Sequence, residues 1–257
     1  MSEIHATAIV DKKAEIGKNV KVGPHSIIEA DTIIGDNVTI GANCLVAQYT
    51  ELREKVTLFH GAVIGTVPQD LKFGGEKTRL IIGENTTIRE YAMLNRGTAE
   101  SGQTIIGKNC LLMAYSHVAH DCVLGDNVIM ANSVNLAGHI GIGDYVIIGG
   151  IVPVHQFVKI GVHAMIGGGF RVQQDVCPYA LAAGYPLRII GLNRIGLTRR
   201  GFSPEALQSL EKAFKILFFS KLNRTQALER INNELEITPE IKTIFDFIEK
   251  SERGLII

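Results

Sequence analysis

Beginning at Ile4, an aliphatic residue stands at every sixth position: Ile4, Val10, Ile16, Val22, Ile28, Ile34, Ile40, Val46, Leu52, Leu58 and Ile64. The same phase returns at Ile82, Ile88 and Leu94, and then runs from Ile106 through Leu112, Val118, Leu124 and Met130 to Ile166 and Val172. Two residues before these there is usually a small or β-branched side chain, as at Ala14, Val20, Ser26, Thr32, Val38 and Cys44. Each hexad therefore turns two side chains inward. Neither a helix of period 3.6 nor a strand of period 2 keeps an apolar residue at six over such a length. A parallel β-helix does, with one short strand and one corner per hexad, so that three hexads close a triangular coil of about 18 residues. The pattern predicts a mainly β fold of about ten coils ending near residue 180. Glycine often follows the aliphatic residue (Gly35, Gly41, Gly107, Gly125, Gly143, Gly161), and is expected there to supply permissive corner dihedrals.

Two segments break the pattern. Val67–Arg79 carries Pro68, a glycine pair and charges, and Gly97–Thr104 is similar but shorter, so both are expected to leave the coil as loops. After Pro186 the hexads stop and helical spacing begins. Ser203-Pro204-Glu205 reads as an N-cap followed by proline at the first helical position, with Leu207, Leu210, Phe214 and Leu217 as one stripe. Thr225 and Thr238-Pro239-Glu240 are expected to open two further helices. The division is thus a β-helix over 1–186 and a small helical C-terminal domain over 187–257, suited to cover the open end of the last coil.

Composition narrows the function. The 26 basic and 26 acidic residues balance, so no global field favours nucleic acid or an anionic membrane. The N-terminus lacks the basic and long apolar regions of a signal peptide, and no apolar run approaches a membrane span, which points to a cytoplasmic protein without stable membrane insertion. Cys44, Cys110, Cys122 and Cys177 show no metal spacing, and the first three fall on the small inward position, where they are core filler.

Chemistry concentrates in SHVAHDC, Ser116–Cys122. Positions one coil apart stack at roughly 4.8 Å, which places His139 over Asp121 and brings Gln156, with His155 beside it, to the edge that carries His120. His117 lies across a corner from His120. His5, His25 and His163 are expected to be merely solvated. Stacked polar groups on an apolar scaffold are costly unless used, so the cluster is a candidate site. A zinc site in the manner of a solenoid carbonic anhydrase would need imidazoles converging on one ion, and His117-x-x-His120 lacks that class's spacing. A general base fits better: imidazole titrates near neutrality, and an adjacent aspartate fixes its tautomer. Gly138, just before His139, offers a backbone N–H that no side chain blocks. No nucleophile elbow accompanies the cluster, so direct transfer between two substrates is expected, without metal or other cofactor. A non-catalytic scaffold is the alternative of another class.

The hexads, together with VPQDLKF, SHVAHDC, LAGHIGIGD, VHQF and GLNRIGLTRRGFS, resemble the left-handed β-helix acyltransferases, and among them the acyl-carrier-protein:UDP-N-acetylglucosamine O-acyltransferase family of lipid A biosynthesis. The resemblance spans essentially the whole chain. It implies transfer of an (R)-3-hydroxyacyl group from acyl carrier protein to the glucosamine 3-hydroxyl of the UDP-sugar, with His120 as base, Asp121 orienting it and the Gly138 N–H facing the oxyanion. It further implies that Asp70, Lys72, His117, His139 and Gln156 meet the hydroxyacyl chain and the sugar, and that His155, Asn193 and Arg199 hold the nucleotide. Gly168 occupies the acyl-length position, where its lack of a side chain leaves room for a long chain. The resemblance implies a homotrimer with sites between subunits. Ile195 and Asn95 depart from the usual glutamate and histidine, which leaves N-acylation of a 3-amino sugar as the alternative. Seven basic residues in 191–224, against Glu205 and Glu211, offer a surface for an acidic carrier protein.

Overall fold

The computed structural model describes residues 2–257. The chain winds as a left-handed parallel β-helix whose three walls are sheets of very short strands. Glu3–Ile4 begins the first sheet, Ile9–Val10 the second and Glu15–Ile16 the third, before Lys21–Val22 returns to the first. The first sheet has 11 strands and the other two have 8 each. Register partners such as Glu3↔Lys21, Ile27↔Leu45 and Ile33↔Glu51 are 18 residues apart, one coil. Both inward positions of the hexad are buried: Ile28, Ile34, Ile40, Leu52 and Ile64 from the aliphatic set, and Val20, Ser26, Thr32, Val38 and Cys44 from the small one. Burial of each large aliphatic contributes about 1.5–3 kcal/mol, repeated along the whole axis. The four cysteines are free and buried, and burial pushes the Cys122 thiol up to about 12.

The glycines serve a different purpose from the one expected. Gly35, Gly41, Gly107, Gly125, Gly143 and Gly161 do not have positive φ, and among the glycines after a hexad aliphatic only Gly65 does; they lie where one coil's backbone presses on the next. A Cβ on Gly107 would sit 2.3 Å from the Gly125 carbonyl oxygen, and one on Gly149 would sit 2.4 Å from the Gly168 nitrogen. The left-handed turn falls two residues further on, three after the aliphatic side chain. There Asn19, Asn37, Asn43, Tyr91, Asp121, His139 and their equivalents adopt φ of 55° to 66°.

Both expected loops leave the coil. The register step grows to 30 residues at Thr57↔Thr87 and to 24 at Thr87↔Leu111, so 12 and then 6 extra residues are spliced in. Both excesses are multiples of six, which is why the hexad phase survives them. Each loop departs from the second sheet and returns to the third, the first between Thr66 and Arg79 and the second between Asn95 and Gln103.

Ala180–Ala183 adds a last parallel strand beside Met165–Ile166, and Arg188–Leu192 folds back antiparallel on it. Four helices follow: α1 (Arg194–Arg199), α2 (Pro204–Phe219), α3 (Arg224–Glu234) and α4 (Pro239–Glu249). Leu207, Leu210 and Phe214 of α2 and Ile244 and Ile248 of α4 join the solenoid's own core, so the helices cover its end. Ser203 and Thr238 cap α2 and α4 as expected. Thr225 does not open α3: Asn223 does, through a capping box in which its side chain accepts the Gln226 N–H while the Gln226 side chain accepts its own. The short α1, capped by Asn193, was not foreseen.

If coil-on-coil contact fixes the glycines, Gly107→Ala should lose about 1–3 kcal/mol in denaturant unfolding through overpacking. Gly141→Ala, whose Cβ would meet nothing closer than Lys159 Cγ at 3.8 Å, should stay within about 0.5 kcal/mol of the parent.

Candidate active site

His117–Val118 is a strand of the second sheet and Val123–Leu124 the following strand of the third, so SHVAHDC wraps the corner between those sheets. Both loops leave from this same corner. The left-handed backbone there brings Asp121, His139 and Phe157 into one column, with φ of 61°, 63° and 64°. His139 Nε2 lies 3.8 Å from Asp121 Oδ2, and the His139 ring stacks on Phe157 at 4.5 Å between centroids. The stacking of His139 over Asp121 is as the coil arithmetic predicts.

His120 stands beside this column, its ring edge-on to His139 at 5.0 Å. Its Nδ1 is 2.7 Å from Asp121 Oδ2. The carboxylate cannot be a donor when ionised, so Nδ1 carries the proton and Nε2 is left as the basic nitrogen. A Cβ on Gly138 would lie 2.6 Å from His120 Cε1 and 2.9 Å from Nε2, so glycine is what keeps this face of the ring open. Among the described residues no hydrogen bond takes up the Gly138 N–H.

Asp121 is almost fully enclosed, with 1% of its side chain exposed. Oδ1 accepts the Thr98 N–H at 2.9 Å and the Ser101 hydroxyl, while Oδ2 accepts the Thr98 hydroxyl at 2.7 Å. Burial alone would raise the carboxyl, but the Ser101, His120 and Thr98 donors outweigh it and bring it down to about 2. Sequence reasoning missed Thr98 and Ser101, because both lie in the loop, outside the period that located the rest. His117 Nδ1 donates to Met93 O at 3.2 Å. Burial and the neighbouring His120 lower its pKa, against the opposing pull of that carbonyl.

Nitrogens of His120 and His139 and an oxygen of Asp121 lie within 4.8 Å of one another, a grouping able to hold a metal ion that the sequence spacing did not anticipate. Both Asp121 oxygens are already engaged by the donors above, so a cation would have to displace them.

The other expected residues divide between two places. Asp70 and Lys72 sit on the first loop, where Asp70 Oδ1 accepts the Lys72 N–H at 3.0 Å and Lys72 is exposed. Gln69 of that loop reaches Met93, next to His117, and so roots the loop at the cluster. His155 and Gln156 follow Pro153–Val154 of the second sheet on the cluster's corner, with His155 Nδ1 3.2 Å from Gln156 O. Asn193 and Arg199 are elsewhere. They line a cavity of about 610 Å³, a size typical of ligand sites, which Ile147, Met165 and Leu181 of the first sheet line together with Ile195 and Arg200. The first sheet lies opposite the corner of the second and third, so one chain does not unite the two groups. Asn193 is buried, its Nδ2 donating to His163 O at 2.9 Å and its Oδ1 accepting from Gly196 N. A Cβ on Gly168 would meet the Gly150 oxygen at 3.1 Å, so this glycine also serves coil packing.

Asn95 is buried and ties down the first loop, donating to Thr66 Oγ1 at 2.9 Å and to Val67 O at 3.0 Å. His163 departs from expectation: it is held between the rings of Tyr145 and Tyr179 rather than solvated. Burial and nearby Arg200 bring it down to about 4, against Asp144. His5 and His25 are exposed as expected.

The hexapeptide-transferase model matches residues 13–48 and 103–138, and the model of the UDP-N-acetylglucosamine O-acyltransferase second domain matches 175–256. An acyl-[acyl-carrier-protein]–UDP-N-acetylglucosamine O-acyltransferase of Thermodesulfovibrio yellowstonii is 46% identical over 256 residues, 99% of each chain. One of the same name from a Sulfurihydrogenibium species is 57% identical, covering 99% of this chain and 94% of that one. The chain belongs to the acyl-[acyl-carrier-protein]–UDP-N-acetylglucosamine O-acyltransferase family. The solved UDP-N-acetylglucosamine acyltransferase of Bacteroides fragilis superposes on it with a TM-score of 0.98 at 44% identity, covering 99% and 100% of the two chains. That of Moraxella catarrhalis gives 0.95 at 40%, covering 99% of both.

The bonds to Asp121 have a sign in pH. A depressed carboxyl stabilises the fold above the unfolded value near 4, and that contribution, about 2 kcal/mol, fades as pH falls from ~4 toward 2. The stability of the wild type relative to Asp121→Asn should therefore shrink over that window when unfolding is followed by circular dichroism.

Proposed function

We propose that this family member transfers an (R)-3-hydroxyacyl group from acyl carrier protein to the 3-hydroxyl of UDP-N-acetylglucosamine, the first step of lipid A biosynthesis. The observation that carries the mechanism is the His120 Nδ1–Asp121 bond of 2.7 Å, which leaves Nε2 free beside Gly138. Nε2 takes the proton of the sugar 3-hydroxyl as its oxygen attacks the thioester carbonyl. Asp121 stabilises the imidazolium that results. The carbonyl oxygen gains charge, and the unengaged Gly138 N–H is placed to stabilise it. Collapse of the tetrahedral intermediate breaks the carbon–sulfur bond, and the imidazolium returns its proton to the departing carrier thiolate. The ester stays on the sugar.

His117, His139 and Gln156, with Asp70 and Lys72 of the first loop, surround the reacting groups in this reading. Arg199 and the cavity over the first sheet receive the nucleotide, with His155 and Asn193. The opposite placement of cavity and cluster supports sites completed between the subunits of a homotrimer. Lys212 and Lys215 border a groove between α2 and α3, a basic surface for the acidic carrier protein, although Arg230 on the same groove is paired with Glu234 and Arg194 of the expected patch with Glu211. No described helix is long and apolar enough to cross a membrane.

Ile195, 69% exposed at the cavity rim, offers no carboxylate, and this favours a second reading in which the acceptor is a 3-amino sugar. Purified protein given 3-hydroxyacyl carrier protein and either UDP-N-acetylglucosamine or its 3-amino analogue decides by product mass. Product with the hydroxyl sugar is expected; product with the amine alone would replace the first reading by the second. His120→Ala should lower kcat by about 10²- to 10⁴-fold. Dialysis against EDTA should leave the rate unchanged, and loss restored by zinc would move the chemistry to the His120, Asp121 and His139 grouping as a metal site.

A further inference from the structure

The coil between Met93 and His117 is 24 residues long instead of 18. The six extra residues do not simply bulge into solvent. They return Thr98 and Ser101 to Asp121, and they carry Glu100 to within 3.5 Å of His139 Nε2. The inward side of Asp121 is held as well, its own N–H donating to Thr104 Oγ1 at 2.9 Å.

A carboxylate that orients an imidazole has two freedoms that matter, rotation of its plane and the share of its charge that the imidazole feels. Thr98 and His120 both approach Oδ2, and the Thr98 N–H approaches Oδ1. The Ser101 hydroxyl is the side-chain donor on Oδ1. A hydroxyl has one proton, and the Gln103 carbonyl at 2.8 Å competes for it, but an ionised carboxylate is the stronger acceptor. The charged and titratable groups around the pair are His117 on one side of His120, His139 across both, and Glu100 beyond His139 with 68% of its side chain exposed.

We propose that Ser101 is a positioning residue for acyl transfer: by donating to Asp121 Oδ1 it fixes the carboxylate plane against His120 and tempers its charge, so that the base is free of its proton at lower pH. This rests on the reading of His120 as general base. Without the hydroxyl the carboxylate presents more negative charge to the imidazolium, holds the proton on His120 more tightly and orients the ring less firmly.

The test is the pH dependence of kcat and kcat/KM for the wild type, Ser101→Ala, Ser101→Thr and His120→Ala, with saturating 3-hydroxyacyl carrier protein and varied UDP-sugar. Ser101→Ala should move the acid limb of kcat/KM up by about half a pH unit and lower the plateau kcat roughly three- to tenfold, with KM for the sugar within about twofold. Ser101→Thr, which keeps the hydroxyl, should restore the limb. An acid limb that coincides with the wild type in Ser101→Ala, whatever the plateau, would overturn the positioning role while leaving the base reading intact. Full activity in His120→Ala would overturn both. Loss of thermal stability without a shifted limb would assign Ser101 to loop structure alone and also overturn the proposal.

Discussion

The structure depends on one constraint: each coil lies a single strand spacing, about 4.8 Å, from the next, so that a position and its counterpart one coil on are in contact. Inside, this turns the hexads into continuous columns of aliphatic side chains. At the backbone it leaves no room for a Cβ after the aliphatic residue, as the 2.3 Å approach at Gly107 shows. At the corners it brings polar groups far apart in sequence into direct contact. Asp121, His139 and Phe157 meet for the same reason that Ile106, Leu124 and Ile142 do. The candidate site is therefore a property of the repeat, held by the same hydrogen bonds that hold the walls.

Both loops and the histidine cluster share the corner between the second and third sheets. That arrangement divides the labour between regular and irregular chain. The coil sets where His120, Asp121, Gly138 and His139 stand, while the loops supply what a two-residue strand and a tight corner cannot: donors that reach around a carboxylate, and polar side chains such as Asp70 and Lys72. The opposite wall carries the cavity with Arg199 and the cap residue Asn193, where the helical segment meets the last coils.

The fold was legible because period six is a signal that no helix or ordinary strand produces, and the stacking of His139 on Asp121 followed from adding 18. Other features were hidden for physical reasons. Thr98 and Ser101 reach Asp121 from a loop that obeys no period, so no arithmetic could connect them. His163 reads as a corner histidine like His25, yet Tyr145 and Tyr179 lie one coil away on either side and enclose it; the column, and not the residue, decides its burial. The hexad glycines suggested corner dihedrals because glycine is the common left-handed residue, while the actual restriction is contact between coils. Asn223 rather than Thr225 opens α3 because the Gln226 side chain completes the box with it.

The left-handed corner narrows the choice of residues at 121 and 139 before any chemistry is considered. A β-branched side chain is strained at φ near 60°, whereas Asp, Asn and, less often, His are tolerated there. Of the twenty non-glycine residues with positive φ, six are Asn, five Tyr, three His and two Asp, and only one, Ile151, is β-branched. Aspartate and histidine are thus already within the alphabet of an ordinary turn, and a catalytic pair can be assembled from neighbouring coils by single substitutions that the scaffold accepts without rebuilding. A solenoid of this kind is in effect a supply of prearranged acid–base partners, any adjacent two of which are one exchange from facing each other.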